Sequence, residues 1–104
     1  RYNYSTSYKM NKMNSKKENM IIQLLKNLLS NALMLGVKGE CKLIVDEYIE
    51  FNEFGLAFEH IVYELHENNI RIPNELYFDF KNVADLMELN ENEYQPRLLE
   101  LILK

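Results

Sequence analysis

The chain has 104 residues, enough for one domain and too few for two, and its 47% hydrophobic and 27% charged residues are the make-up of a folded globular protein. Three glycines and two prolines are too few for the turns of an all-β domain, and the single cysteine, Cys41, excludes an internal disulfide and any multi-cysteine zinc site. The net charge of −4 hides a division: residues 1–42 carry eight basic and two acidic groups, residues 43–104 four basic and fourteen acidic ones. Between Asp46 and Glu93 only Arg71 and Lys81 are positive, so this half repels nucleic-acid phosphates and attracts basic surfaces.

Residues 1–16 hold Tyr2, Tyr4 and Tyr8 but no apolar period, and Met10, Met13 and Met20 could each begin a chain. Residues 1–14 therefore read as a flexible tail or upstream extension, ahead of a single helical domain over residues 15–104. The first helix is expected from Ser15 to Leu35. Ser15 and Glu18 have capping-box spacing, Ile21, Leu24, Leu25, Leu28, Ala32 and Leu35 form one apolar stripe, and Gly36 ends it in the left-handed conformation. A second helix is expected over Val37–Phe51 with Cys41, Ile44, Val45 and Tyr48 inward, and Asn52 breaks it. The third, Glu53–Asn68, has the cleanest helical period in the chain, with Phe54, Ala57, Phe58, Ile61, Val62 and Leu65 on one face.

Asn68–Asn69 closes that helix, Ile70–Ile72 is extended ahead of a proline, and Pro73 opens a fourth helix running to about Leu89. Leu76, Phe80, Val83, Ala84 and Met87 line its inner side. A turn over Asn90–Asn92 precedes a fifth helix that begins near Pro96 and carries Leu98, Leu99, Leu101 and Ile102. The fold class is all-α, a compact bundle of about five short helices joined by short connections. Gln23, Lys26, Asn27, Ser30 and Asn31 interrupt the longest apolar stretch, so no membrane span is expected. With no export signal and one free thiol, a cytoplasmic location is expected.

Chemical sites are few. His60 and His66 are six residues apart, which at roughly 100° per residue turns their rings about 120° from each other, so they do not share a metal on one helix face. His60 and Glu64 at i, i+4 read as an ion pair. Gly36-Val37-Lys38-Gly39 has the spacing of a nucleotide-clamping loop but lacks the flanking strands, and it reads as a turn between helices. Ser30 and Cys41 have no histidine at a useful spacing, and the third helix has no Lys or Arg to read DNA. No catalytic residue, metal or cofactor is expected, and neither nucleic acid nor membrane is expected as a partner.

The outer faces say more. Asp46, Glu50 and Glu53 fall at i, i+4, i+7 with Glu47 beside them, and Leu56, Glu59, Tyr63 and Glu67 point away from the expected core of the third helix. Carboxylates interleaved with an aromatic ring and a leucine are what a surface for a basic protein needs: the charges steer encounter, and the apolar groups give desolvated contact.

The segment Asn52-Glu53-Phe54-Gly55-Leu56-Ala57-Phe58-Glu59, followed by Leu65-His66-Glu67-Asn68-Asn69-Ile70-Arg71-Ile72-Pro73 and by Met87-Glu88-Leu89, resembles the MafI-type bacterial immunity proteins. Their pattern is a gE-x-G-x-A-x-E segment opening a helix, then L-x-E-x-x-I-x-I, then M-x-L. The resemblance spans about Met20 to Ile102, and Asn52 stands where the pattern has glycine. It implies an immunity protein of polymorphic toxin or contact-dependent inhibition systems. Such a protein neutralises a cognate toxin, often an EndoU-type ribonuclease, by stoichiometric occlusion. The toxin-binding residues are then expected to be Asp46, Glu47, Glu50, Glu53, Glu59, Tyr63 and Glu67. A self-associating helical adaptor is the alternative. The motif also has packing readings of its own: Glu53 complements the helix dipole, while Gly55 and Ala57 allow a neighbouring helix to approach.

Overall fold

The computed structural model describes residues 15–103. The expected tail, residues 1–14, lies outside them. Five α-helices and one 3₁₀ turn form among the described residues: α1 (Ser15–Leu35), α2 (Gly39–Glu50), α3 (Phe54–Glu67), α4 (Asn74–Leu86), the turn Glu91–Glu93 and α5 (Gln95–Leu99). The bundle is all-α, as the periodicity predicts. No helix among these residues is long and apolar enough to cross a membrane.

Helix α3 is the centre of the packing. It lies against α1, α2 and α5, while α4 packs chiefly on α1. Ala57, Phe58, Ile61, Val62 and Leu65 are all at most 1% exposed, and burying each larger one contributes roughly 1.5–3 kcal/mol. Phe58 meets Phe80 of α4 and Tyr94 edge-on, with ring centroids 5.6 and 5.4 Å apart, and so ties α3 to both flanking elements.

Four helices end in one way. Gly36, Asn52, Asn69 and Glu88 have φ of 123°, 60°, 50° and 59°. The next residue's N–H then reaches back five positions: Val37 to Ala32, Glu53 to Tyr48, Ile70 to Leu65 and Leu89 to Ala84, at 2.8–3.1 Å. This closure satisfies carbonyls that the helix leaves open. Glycine and asparagine announce three of the four ends. Glu88 announces nothing, so the expected end near Leu89 lies beyond the observed one at Leu86.

Other departures have equally local causes. Pro73 is the residue before α4, its extended ψ of 158° presenting a carbonyl to the N–H of Leu76. Ser15, expected as the cap, is itself helical, and the residue before it lies outside the described residues. Leu35 and Ile44, expected inward, are exposed, and Ile49 completes the buried stripe of α2. Tyr77 and Tyr94, not named among the expected core residues, are buried. Tyr77 gains a polar partner, Gln95 Nε2 donating to its hydroxyl at 2.8 Å. The largest departure is at the C-terminal end. Helix α5 stops at Leu99, and Ile102 forms a parallel bridge with Ile72. The N–H of Ile72 donates to Leu101 O and that of Leu103 to Ile72 O, both at 2.9 Å. His66 Nε2 and Glu100 Oε1 lie 2.8 Å apart, and Arg71 donates to the Glu100 carbonyl at 2.6 Å, holding the same segment against the end of α3.

Candidate functional site

Among the described residues no three His, Cys, Asp or Glu side chains gather as metal ligands. His60 pairs with Glu64 at 3.4 Å, His66 with Glu100. Cys41 is 1% exposed; burial first, then the Glu64 charge, push its thiol up to about 11. It is therefore protonated and enclosed at neutral pH, the opposite of an activated nucleophile. The segment Gly36–Gly39 is a turn that buries Val37 between α1 and α2.

The seven residues singled out for binding fall into three groups. Asp46 and Glu50 border a 370 Å³ hollow between α1 and α2, with Lys26, Lys42 and Leu33 around it. Lys42 Nζ donates to Asp46 there at 2.6 Å. Glu53 and Glu59 border a larger hollow of 710 Å³ over the first turns of α3, together with Leu56, Leu89 and Glu93. Glu59 also meets Arg97 Nη2 at 2.8 Å. Glu47, Tyr63 and Glu67 stand exposed on α2 and α3. Tyr63 stacks on His60 with centroids 5.9 Å apart, and Tyr48 meets the same imidazole edge-on at 6.4 Å. This row of rings runs from α2 to α3 and orders the surface between them. The ion pairs at Asp46 and Glu59 are solvent-exposed, worth about 0–1 kcal/mol each, and give way easily to a partner's charge.

Periodicity missed three residues of this surface. Leu43 is 72% exposed, Phe51 54% and Ile44 38%. At roughly 100° per residue they lie with Glu47 on the side of α2 away from Cys41, Val45 and Ile49. The signal was present in the sequence: α2 has more apolar positions than one inward stripe can use. With Leu56 and Tyr63, both close to half exposed, the α2–α3 hairpin presents five large apolar side chains among carboxylates. Scattered exposed apolar residues are ordinary, and Met34, Phe78 and Leu103 are further examples elsewhere in the bundle.

The Gly55 expectation is corrected. A Cβ built there meets nothing within 4 Å, so no helix approaches it. Ala57, by contrast, is fully buried.

No family model, curated protein or solved structure matches this chain.

Proposed function

We propose that this protein binds and neutralises a basic protein, in the manner of a MafI-type immunity protein, with a ribonuclease toxin as the partner class. The observation that carries the reading is the α2–α3 hairpin, where Leu43, Ile44, Phe51, Leu56 and Tyr63 are exposed among Glu47, Glu50, Glu59 and Glu67. An RNA-cleaving toxin must carry Lys and Arg in its cleft to hold phosphates. Carboxylates speed the approach to such a cleft, and the apolar groups hold the complex once water has left. Inhibition is then occlusion, one inhibitor to one toxin, with roughly 1,600 Å² buried.

The test is association kinetics, at several salt concentrations, with a basic ribonuclease toxin domain. Wild-type protein should associate fast and slow steeply with salt. Reversal of Glu47, Glu50 and Glu67 to lysine should cut the association rate about tenfold at low salt and flatten the salt dependence. A reversed protein that associates at the wild-type rate overturns the reading. Concentration-dependent dimerisation through Leu43 and Phe51, without nuclease binding, would instead establish the self-associating adaptor.

A further inference from the structure

Two hollows meet over the beginning of α3. The 710 Å³ hollow and a second of 320 Å³ share Asn52, Phe54, Gly55 and Leu89 as walls, so together they make one groove across the first turn of the helix. Gly55 lies in this shared wall, and neither its φ nor any neighbour within 4 Å requires glycine. Glycine inside a helix costs about 1 kcal/mol relative to alanine, and what its missing side chain does here is leave the groove open. The wide end has an apolar wall of Phe54, Leu56 and Leu89 and a rim of Glu53, Glu59 and Glu93, with Arg97 on Glu59 as the one cation bonded to the rim among the described residues, while Lys17 borders the narrow end. Glu53 and Glu59 approach from α3 and Glu93 from the 3₁₀ turn, so the carboxylates come from two elements. Leu56 and Glu59 also belong to the hairpin surface and make groove and surface continuous.

We infer that this groove is the anchor point for the basic partner: it takes one large apolar side chain carried between Lys or Arg residues of an extended segment. The inference rests on the reading above, that the partner is a basic protein. The apolar side chain fills the space over Gly55 and against Leu89, and the flanking cations meet Glu53, Glu59 and Glu93 across the rim. Arg97 Nη2 donates both to Glu59 and to the Glu93 carbonyl, so a cation beside Glu59 takes the place of a guanidinium that holds the rim from outside the groove. An acidic or purely apolar segment fits the floor but not the rim, so charge selects the occupant.

The experiment uses the full chain, ¹⁵N-labelled, titrated with the short peptide acetyl-Lys-Lys-Leu-Phe-Lys-Arg-amide and with its counterpart in which every basic residue is Glu. The basic peptide should shift the amides of Gly55, Leu56, Leu89 and Glu93, and the acidic one should not. Gly55→Met fills the groove where a side chain meets nothing, so the helical circular dichroism is retained while the Kd rises at least about tenfold. Glu93→Lys leaves the apolar wall intact and should weaken the basic peptide by a similar factor. Equal binding of both peptides, unchanged binding to Gly55→Met and Glu93→Lys, or shifts confined to residues outside the groove would each overturn the inference. So would groove shifts that grow with protein concentration alone, since a second copy would then be the occupant. The two readings fail separately. A Gly55→Met protein that still neutralises the nuclease at wild-type affinity removes the groove and leaves the inhibitor. Groove binding of the basic peptide without any nuclease binding does the reverse.

Discussion

Helices α2 and α3 pack against each other more extensively than any other pair, yet they use their apolar residues in opposite ways. Helix α3 turns Ala57, Phe58, Ile61, Val62 and Leu65 inward, each at most 1% exposed, and leaves only Leu56 and Tyr63 outside as exposed large apolar residues. Helix α2 buries three apolar residues, Cys41, Val45 and Ile49, while Leu43 and Ile44 are open to water and Phe51 joins them at its C-cap. The contrast separates apolar residues that hold the fold from apolar residues left at the surface. A hydrophobic period in a sequence does not distinguish the two.

The largest effect that sharpens this comparison is on stability. Phe58→Ala should lose about 3–5 kcal/mol in urea denaturation, because a cavity opens where the rings of Phe80 and Tyr94 meet it. Leu43→Ala should stay within about 0.5 kcal/mol of wild type. If the two losses were comparable, the division between the helices would collapse. The converse is read in binding. Leu43→Ser should leave the urea midpoint almost unchanged and weaken the complex with the nuclease about tenfold, chiefly through faster dissociation.

A third effect concerns the inner side of α2. The Cys41 thiol is pushed from 9.0 up to about 11 in the folded protein. Below pH 9 both folded and unfolded chains keep the proton, and the thiol has no influence on stability. Between pH 9 and 11 the unfolded chain gives it up and the folded one does not, so stability falls as pH rises, by about 2–3 kcal/mol at 1.36 kcal/mol per pH unit. Tyr94, raised chiefly by burial, and Lys81, raised by its bond to Glu91, also titrate on the alkaline side and are present in wild type and variant alike. Cys41→Ala should therefore show the shallower alkaline loss, read as the difference between the two proteins. An identical alkaline limb would mean that α2 is not packed as tightly as α3 at this point. The smallest effect is a gain. Glu88 holds a left-handed φ of 59° that glycine adopts without strain, and among the described residues its side chain is linked only to Lys17, at 3.9 Å. Glu88→Gly should raise stability by about 1 kcal/mol, measured by thermal or urea unfolding.

What could be read from the sequence follows the same line between local and distant causes. The span of α1 was legible because Gly36 marks its end, and the buried face of α3 because a wide apolar stripe at i, i+3, i+4 has one solution. The end of α4 was not, since a glutamate takes the left-handed position that Gly or Asn would advertise. The short α5 was not legible either: Leu101 and Ile102 fit a helical period, and what overrides it is pairing with Ile72, far away in the chain. At the candidate site, the acidic positions on α2 and α3 were visible one helix at a time. Their sorting was not. Asp46 and Glu50 go with α1, and Glu53 and Glu59 join Glu93 from a 3₁₀ turn, only because tertiary packing brings those elements together.

The bridge between Ile72 and Ile102 also imposes an order on the making of the protein. Synthesis runs from the N-terminus, so α1, α2 and α3 can meet as they emerge, while the N–H and carbonyl of Ile72 await partners translated 30 residues later. Until then the junction of α3 and α4 has two open backbone groups and Tyr94, Leu98 and Leu101 have yet to cover the core. Nascent chains that have not yet exposed residues 94–103 should thus hold a half-closed bundle, with Phe58 uncovered on the side that Tyr94 meets.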